Sequence, residues 1–405
     1  MPSTNRSQTR QDPIDSQLVD CAGPAVIPSD VDRVDCRSTT NAGGNSRLML
    51  ISKEKNRYAY IDTHKVRSGR FLTRSDVWLQ PQVLEFARNA SPEVVLDPFA
   101  GNGHMLTALQ TRMAWPKYIG IDIHPHGDVL YNDSLRSIPP IPRALIVTNP
   151  PYLAKHSAAR KRVISEVASY FHAEPDLNDL YLIALKKCLQ HSDNVIAIVP
   201  ETFINAQAFR SRLRQITVLE TNPFEDTDCP VVVACFGGEY GLPTHVFRDR
   251  TEIGYLSDIE KHRMRPHKAV PIHFNVPDGL IGLQAVDSVD PDKSISFMHR
   301  SCLGYDTSGI KISSRLVTYV HIPGLREVDV DPVCRDANQI LASLRSLTND
   351  LVLSPFKGNR RDGRRRRRLD YATARAILEQ AIDGRLVGES IAGDVDNLWK
   401  HADAI

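Results

Sequence analysis

The tetrad Asn149-Pro150-Pro151-Tyr152 closes an apolar run, Ala144 to Thr148, and combines groups suited to handling a planar amine. Asn149 offers an amide oxygen, and the prolines leave their carbonyls without local N–H competitors, so exocyclic N–H groups can be accepted there. Tyr152 adds an aromatic face on which a base can stack, worth about 1–3 kcal/mol per base. An amine held by two acceptors in fixed geometry cannot keep its lone pair fully conjugated with its ring, which prepares it as a nucleophile. About fifty residues earlier, Asp97-Pro98-Phe99-Ala100-Gly101-Asn102-Gly103 follows another apolar run. Gly101 and Gly103 let the backbone turn tightly and approach a ligand, and a following helix presents unpaired N–H groups at the same place. The third glycine of a dinucleotide signature and the Gly-Lys-Ser/Thr of a P-loop are both missing, so neither ligand class is indicated. Asp122 ends the next apolar run, nineteen residues after Gly103, the kind of spacing at which α/β folds hold ribose hydroxyls. Asp133, in Y-N-D-S-L, is a further polar candidate and fits a helix cap or turn equally well.

These groups need a scaffold, and the chain supplies an α/β rhythm. Apolar runs at Val94–Asp97, Tyr118–Ile123, Ala144–Thr148, Asn194–Pro200, Ile216–Glu220 and Val231–Phe236 read as strands. Between them, Pro81–Asn89, His104–Met113, Leu177–Gln190 and Phe203–Arg214 read as helices. The loop joining the last two strands is too short for a crossover helix, so a mostly parallel Rossmann-like sheet with one antiparallel edge hairpin is expected. Residues 1–46 are rich in Ser, Thr, Asn, Asp, Pro and Gly without apolar periodicity, and are expected to be disordered. Leu48–Ser52 and Tyr58–Asp62 read as a hairpin opening a catalytic domain over residues 47–238. Residues 239–405 lose the rhythm and read as a mixed second domain, with strand-like Leu316–Ile322 and a helix around Tyr371–Ile382.

Length and cysteine usage agree with two reduced domains. The 405 residues exceed one ordinary core, and the seven scattered cysteines form no C-x-x-C pair or zinc spacing. No apolar run reaches membrane-spanning length and the first thirty residues carry no secretory core, so a cytoplasmic protein without membrane contact is expected.

Together the segments resemble the amino-methyltransferases dependent on S-adenosylmethionine, above all the DNA adenine-N6 methyltransferases. The resemblance spans Gln80 to Phe236 and implies roles residue by residue. Asp97, Pro98, Phe99, Ala100, Gly101 and Gly103 would form the cofactor loop, Asp122 with Ile123 would meet the cofactor ribose, and Asp133 would lie near its adenine. Gln80-Pro81 is similar to the segment preceding that loop, with Gln80 where the family has Thr. Asn149, Pro150, Pro151 and Tyr152 would be the catalytic tetrad. Phe236, at the end of P-V-V-V-A-C-F, would be the second wall of a slot for a flipped base, and reads equally as a buried strand end. The order of segments is similar to the gamma arrangement, whose C-terminal region reads DNA. The implied reaction is direct displacement on S-adenosylmethionine, with no metal, which agrees with the lack of H-E-x-x-H, G-x-S-x-G or clustered Cys/His.

Double-stranded DNA is the partner this implies, plausible alongside a paired restriction endonuclease. The run Lys357 to Arg368, with Arg360, Arg361, Arg364, Arg365, Arg366, Arg367 and Arg368, concentrates charge that would neutralise phosphates; a solvated loop carries the same composition. Lys155, Arg160, Lys161 and Arg162 form a second candidate strip, or one exposed helix face. The tetrad also serves enzymes acting on cytosine N4, RNA or protein glutamine, and a silent DNA-binding regulator is a further alternative. Motif order and the basic second domain favour adenine in DNA.

Overall fold

A computed structural model describes Phe71, Thr73 and residues 76–225, 227–267, 270–303 and 317–386. The expected disordered segment 1–46 and the strands at 48–52 and 58–62 lie outside the described residues.

Helix α1 (Pro81–Asn89) starts with proline in its first turn, where no N–H is required, and buries Val83 and Ala87. It leads into β1 (Val94–Asp97), the cofactor-loop candidate and α2 (His104–Gln110), whose N-cap Gly103 is left-handed at φ 76°. Then follow β2 (Lys117–Asp122), β3 (Leu130–Tyr131) and β4 (Ala144–Thr148). Every residue of β4 is buried, as a parallel strand covered on both faces requires. Helices α3 (Lys155–Arg160), α4 (Ile164–Ala173) and α5 (Leu180–His191) precede β5 (Asn194–Pro200), β6 (Leu213–Val218) and β7 (Val231–Phe236). Strands β8 (His245–Arg248) and β9 (Thr251–Tyr255) complete a nine-stranded sheet in the order β3-β2-β1-β4-β5-β7-β6-β8-β9. The expected Rossmann-like α/β sheet is present.

Strand order reverses at β1, with β2 added on one side and β4 on the other, all three parallel, so a crevice opens at the carboxyl ends of β1 and β4. Strand β7 runs antiparallel to both β5 and β6, as the short loop required. It is not an edge, because β8 pairs parallel to β6 and β9 antiparallel to β8. The sheet therefore runs on through Tyr255, past residue 238.

The helix expected at Phe203–Arg214 is absent. Two short 3-10 turns, Glu201–Asn205 and Arg210–Arg212, stand there, and β6 begins at Leu213. Phe209 adopts a left-handed backbone (φ 58°) that no helix can carry through, and the alternating residues from Leu213 find a ladder partner in β7.

Beyond α6 (Leu256–Lys261), strands β10 (His273–Phe274), β11 (Ile281–Gln284), β12 (Ser296–His299) and β13 (Val317–His321) form an antiparallel sheet ordered β10-β13-β11-β12. Helix α7 (Val330–Leu347), the hairpin β14 (Ser354–Asn359) with β15 (Arg365–Arg368), and helix α8 (Tyr371–Leu386) follow. One hydrophobic core joins both halves, from Val195 and Val232 to Ile281, Leu341 and Ile377. A satellite core of Leu153, Ala158, Val163, Phe171, Leu180 and Ile183 lies directly after the tetrad and seats α3, α4 and α5.

The C-terminal half is held by a buried charge. Asp287 is fully buried and accepts from both terminal nitrogens of Arg345, at 2.9 and 3.0 Å, and from the backbone N–H of Ile295 and Arg367. Burial pushes its carboxyl upward, but Arg345 and these N–H groups prevail and hold it below the usual carboxylate range. Removing one partner of such a pair strands a buried charge. Arg345→Ala is expected to cost about 3–5 kcal/mol in urea unfolding, and a loss below about 0.5 kcal/mol would remove the pair from the list of anchors.

Candidate active site

At the crevice the two loops singled out in the sequence meet. A cavity of about 250 Å³ is bounded by Pro98, Phe99 and Gly101 from the first loop, Asp122 and Ile123 after β2, Asp133, and Asn149, Pro150 and Pro151 after β4. A second cavity of about 30 Å³ shares Phe99, Gly101 and Asn149 with it and adds Asp97 and Ala100.

Buried carboxylates shape the first loop. Asp97 accepts the Phe99 N–H (3.0 Å) and the Thr148 hydroxyl (2.8 Å), which ties the end of β1 to the end of β4. Burial pushes its pKa up to about 7. Asp122 accepts the N–H of Gly101 at 2.9 Å and of His124 at 2.8 Å, so its carboxylate faces the cavity already fixed in orientation. Gly101 and Gly103 take positive φ of 54° and 76°. A side chain at either would strain the turn. At the rim, Asp133 accepts from Arg136 and from the Tyr170 hydroxyl, each at 2.9 Å. Val167, Tyr170 and Leu135 give that end an apolar lining.

The tetrad is held from both sides. Asn149 Nδ2 donates to the Phe71 carbonyl (2.6 Å) and the Thr73 hydroxyl (3.1 Å), which leaves Oδ1 as its free-facing acceptor. The Tyr152 hydroxyl lies 2.5 Å from that Oδ1 and 2.8 Å from the Ile198 carbonyl. One hydroxyl proton cannot satisfy both acceptors fully. Tyr152 is 3 % exposed, with ring centroids of Phe71, Phe224 and Tyr181 at 5.7, 6.3 and 6.3 Å. Behind the tetrad, Asp179 caps α5 and accepts the Leu153 N–H at 3.1 Å.

Several expected residues sit elsewhere. Phe236 is buried against Phe203 and pairs with Val195 at the amino-terminal end of β5, whereas Asn149 extends β4 at the carboxyl edge. Because β7 runs antiparallel, its last residue points to the wrong end of the sheet. Besides Tyr181, the aromatics beside Tyr152 are Phe224, on the β6–β7 loop, and Phe71. Sequence reading missed both, although an antiparallel pair places its connecting loop at the carboxyl edge. Gln80 and Pro81 line a different groove, of about 1870 Å³, between α1, the β8–β9 turn and α7. Gln80 donates there to the Val77 carbonyl.

The arginine run divides. Arg361 and Arg364 are exposed and Lys357, Arg360 and Arg366 half-buried, whereas Arg365, Arg367 and Arg368 are 5, 1 and 5 % exposed. Buried as they are, these three cannot face phosphates, and Arg365 and Arg367 are turned to the Leu219 carbonyl and the Glu201 carboxylate. Lys155, Arg160 and Arg162 are exposed on and after α3. Burial, with the charges of Arg160 and Lys357, pulls the Lys161 ammonium down to about 8, so the α3 strip and the hairpin approach each other.

No family profile and no curated protein matches the sequence. Solved structures similar in part include a Listeria monocytogenes protein assigned to the class I S-adenosylmethionine-dependent methyltransferases, at 11% identity and TM-score 0.30 over 41% of this chain and 60% of that one. The type I restriction-modification methyltransferase subunit from Streptococcus thermophilus matches at 17% identity and TM-score 0.33, over 44% and 47% of the two chains. The M protein of the EcoKI type I restriction enzyme matches at 13% identity and TM-score 0.29, over 83% and 76%. The chain thus spans 60% or less of the first two. Among the described residues no helix is long and apolar enough to cross a membrane.

Burial also pushes Asp179 up to about 7. A carboxyl whose folded pKa is raised stabilises the fold fully below its unfolded value near 3.8, and that contribution is lost as pH rises through about 7. Asp179→Asn keeps an acceptor for Leu153 but cannot ionise. Its melting temperature is expected to decline less than that of the unmodified protein between about pH 5 and 8; parallel declines would show that Asp179 does not titrate in this window.

Proposed function

We propose that the protein is a DNA methyltransferase dependent on S-adenosylmethionine, acting on the exocyclic N6 of an adenine turned out of the duplex. The observation that supports this is one cavity bounded both by a glycine turn with a fixed buried carboxylate and by Asn149-Pro150-Pro151. The residues fit the cofactor. Asp122 would accept ribose hydroxyls, Ile123 and the apolar rim near Asp133 would cover a purine, and Pro98 to Gly103 would leave room for the methionine portion. When bound, S-adenosylmethionine supplies an electrophilic methyl on sulfur.

The chain's own groups then orient and exclude. Asn149 cannot rotate, because Phe71 and Thr73 hold its Nδ2. Its Oδ1 becomes available when the Tyr152 hydroxyl gives its proton to the Ile198 carbonyl alone. Oδ1 and the Pro150 carbonyl then receive the two amine hydrogens and direct the lone pair, so the work is mostly orientation. Tyr152, whose ring meets that of Phe224 edge-on at 6.3 Å, would offset part of the few kcal/mol needed to unstack the base once the two rings part. Lys155, Arg160, Arg162, Lys357, Arg361 and Arg364 would face phosphates. The nine-stranded sheet, through Tyr255, would carry the chemistry and the residues beyond it the DNA recognition, in a cytoplasmic modification enzyme paired with a restriction endonuclease.

Methyl-labelled cofactor offered to duplex DNA, RNA and protein in parallel, with the product digested, tests the assignment. N6-methyladenine is expected. Methylcytosine alone would defeat the adenine assignment, and label only in RNA or protein would defeat DNA modification.

Asn149→Ala is expected to lower transfer at least about a thousandfold while cofactor affinity changes little; undiminished turnover would remove the tetrad from the mechanism. The double variant Arg361→Ala/Arg364→Ala is expected to lower the slope of log affinity for DNA against log salt by roughly 1–2, and an unaltered slope would place phosphate contact elsewhere.

A further inference from the structure

The buried arginines of the hairpin leave a question that phosphate binding does not answer. Arg367 Nη1 donates to Glu201 Oε1 at 2.5 Å, both side chains being 1 % exposed. Arg365 Nε lies 3.5 Å from Glu201 Oε2. Two guanidinium groups thus share one carboxylate away from water, and Arg367 Nε and Nη2 have no hydrogen-bond partner among the described residues. An apolar group of similar volume would serve packing at least as well. What the charges add is direction.

That direction leads to the base slot. Glu201 follows Pro200, the last residue of β5, and its N–H donates to the Pro230 carbonyl at 2.9 Å, just before β7 begins. Two residues before Pro200, the Ile198 carbonyl holds the Tyr152 hydroxyl. Arg365 Nη2 donates to the Leu219 carbonyl at 3.0 Å, just past β6, and its Nη1 to Asn359 Oδ1 at 2.9 Å. Asn359 Nδ2 in turn donates to the Glu220 carbonyl at 3.2 Å. The hairpin grips one end of the loop that carries Phe224 directly and reaches the other only through Glu201, while its exposed turn carries Arg361 and Arg364.

We propose that Arg365 and Arg367 are positioning residues for the base slot: through Glu201 and the Leu219 carbonyl they set the spacing of Tyr152 and Phe224, and they transmit to it the seating of a polyanion on the hairpin turn. The proposal rests on the methyl-transfer reading for its catalytic readout.

Glu201→Gln would leave two buried guanidinium groups without a carboxylate, so the test is Arg367→Met, which leaves Glu201 beside Arg365 at 3.5 Å. This protein is expected to fold and bind S-adenosylmethionine within about twofold, yet to transfer methyl to mixed-sequence duplex DNA at least about tenfold more slowly, with the loss in kcat rather than in the cofactor's KM. Without DNA, amides of residues 219–230 are expected to exchange hydrogen about tenfold faster, and those of β1 and β4 at the original rate. Asn359→Ala, a milder change at a half-buried site, is expected to show the same pattern at about threefold. If either variant folds and keeps both the exchange and the transfer of the unmodified protein, the proposal is overturned. If the unmodified protein labels no DNA, the methyl-transfer reading fails, and the exchange measurement alone still decides whether the arginines position the loop.

Discussion

The carboxyl of Asp97 joins the two loops on which the site depends. It accepts the Thr148 hydroxyl across the β1–β4 boundary and the Phe99 N–H within its own loop. Those parallel strands flank the point where strand order reverses, so the crevice between them cannot be filled by a continuing connection. A single buried oxygen there sets the separation between the glycine turn and the tetrad. The rest of the nine-stranded sheet stiffens that separation, and the Asp122 carboxylate repeats the device on the other side by gripping Gly101.

From this frame the tetrad gains its rigidity in steps. The satellite core under Leu153 and Ala158 fixes where the chain goes after Tyr152, and Asp179 pins the exit by the Leu153 N–H. The Phe71 carbonyl and the Thr73 hydroxyl fix Asn149 from the opposite side. The amide is thereby oriented before anything arrives, which is the condition under which hydrogen bonds contribute to orientation rather than to reorganisation.

Much of this was legible from local pattern. The buried strands announce themselves as Val- and Ile-rich runs, and Gly101, Gly103, Asp122 and Asn149 stand at strand ends where any α/β sheet turns toward its crevice. What failed was non-local. The segment from Phe203 to Arg214 has helical periodicity, yet pairing with β7 claims Leu213 onward. Of the two readings open for Phe236, the buried strand end holds, because an antiparallel β7 carries its end away from the crevice, whereas Phe224 is brought in by an isolated bridge to Thr73. A run of like charges reads as solvated because the neutralising partner, Glu201, lies 166 residues away from Arg367.

The shared proton of Tyr152 has a consequence for how the slot waits. The Asn149 oxygen and the Ile198 carbonyl both lie within reach of one hydroxyl, so neither acceptor is left bare. On the proposed methyl-transfer reading an entering amine would trade places with that hydroxyl, and the number of hydrogen bonds would barely change. Little net energy is then available from pairing alone. Selection among planar amines would fall to shape and stacking, and the slot would reject a poorly fitting ring without ever having been unstable while vacant.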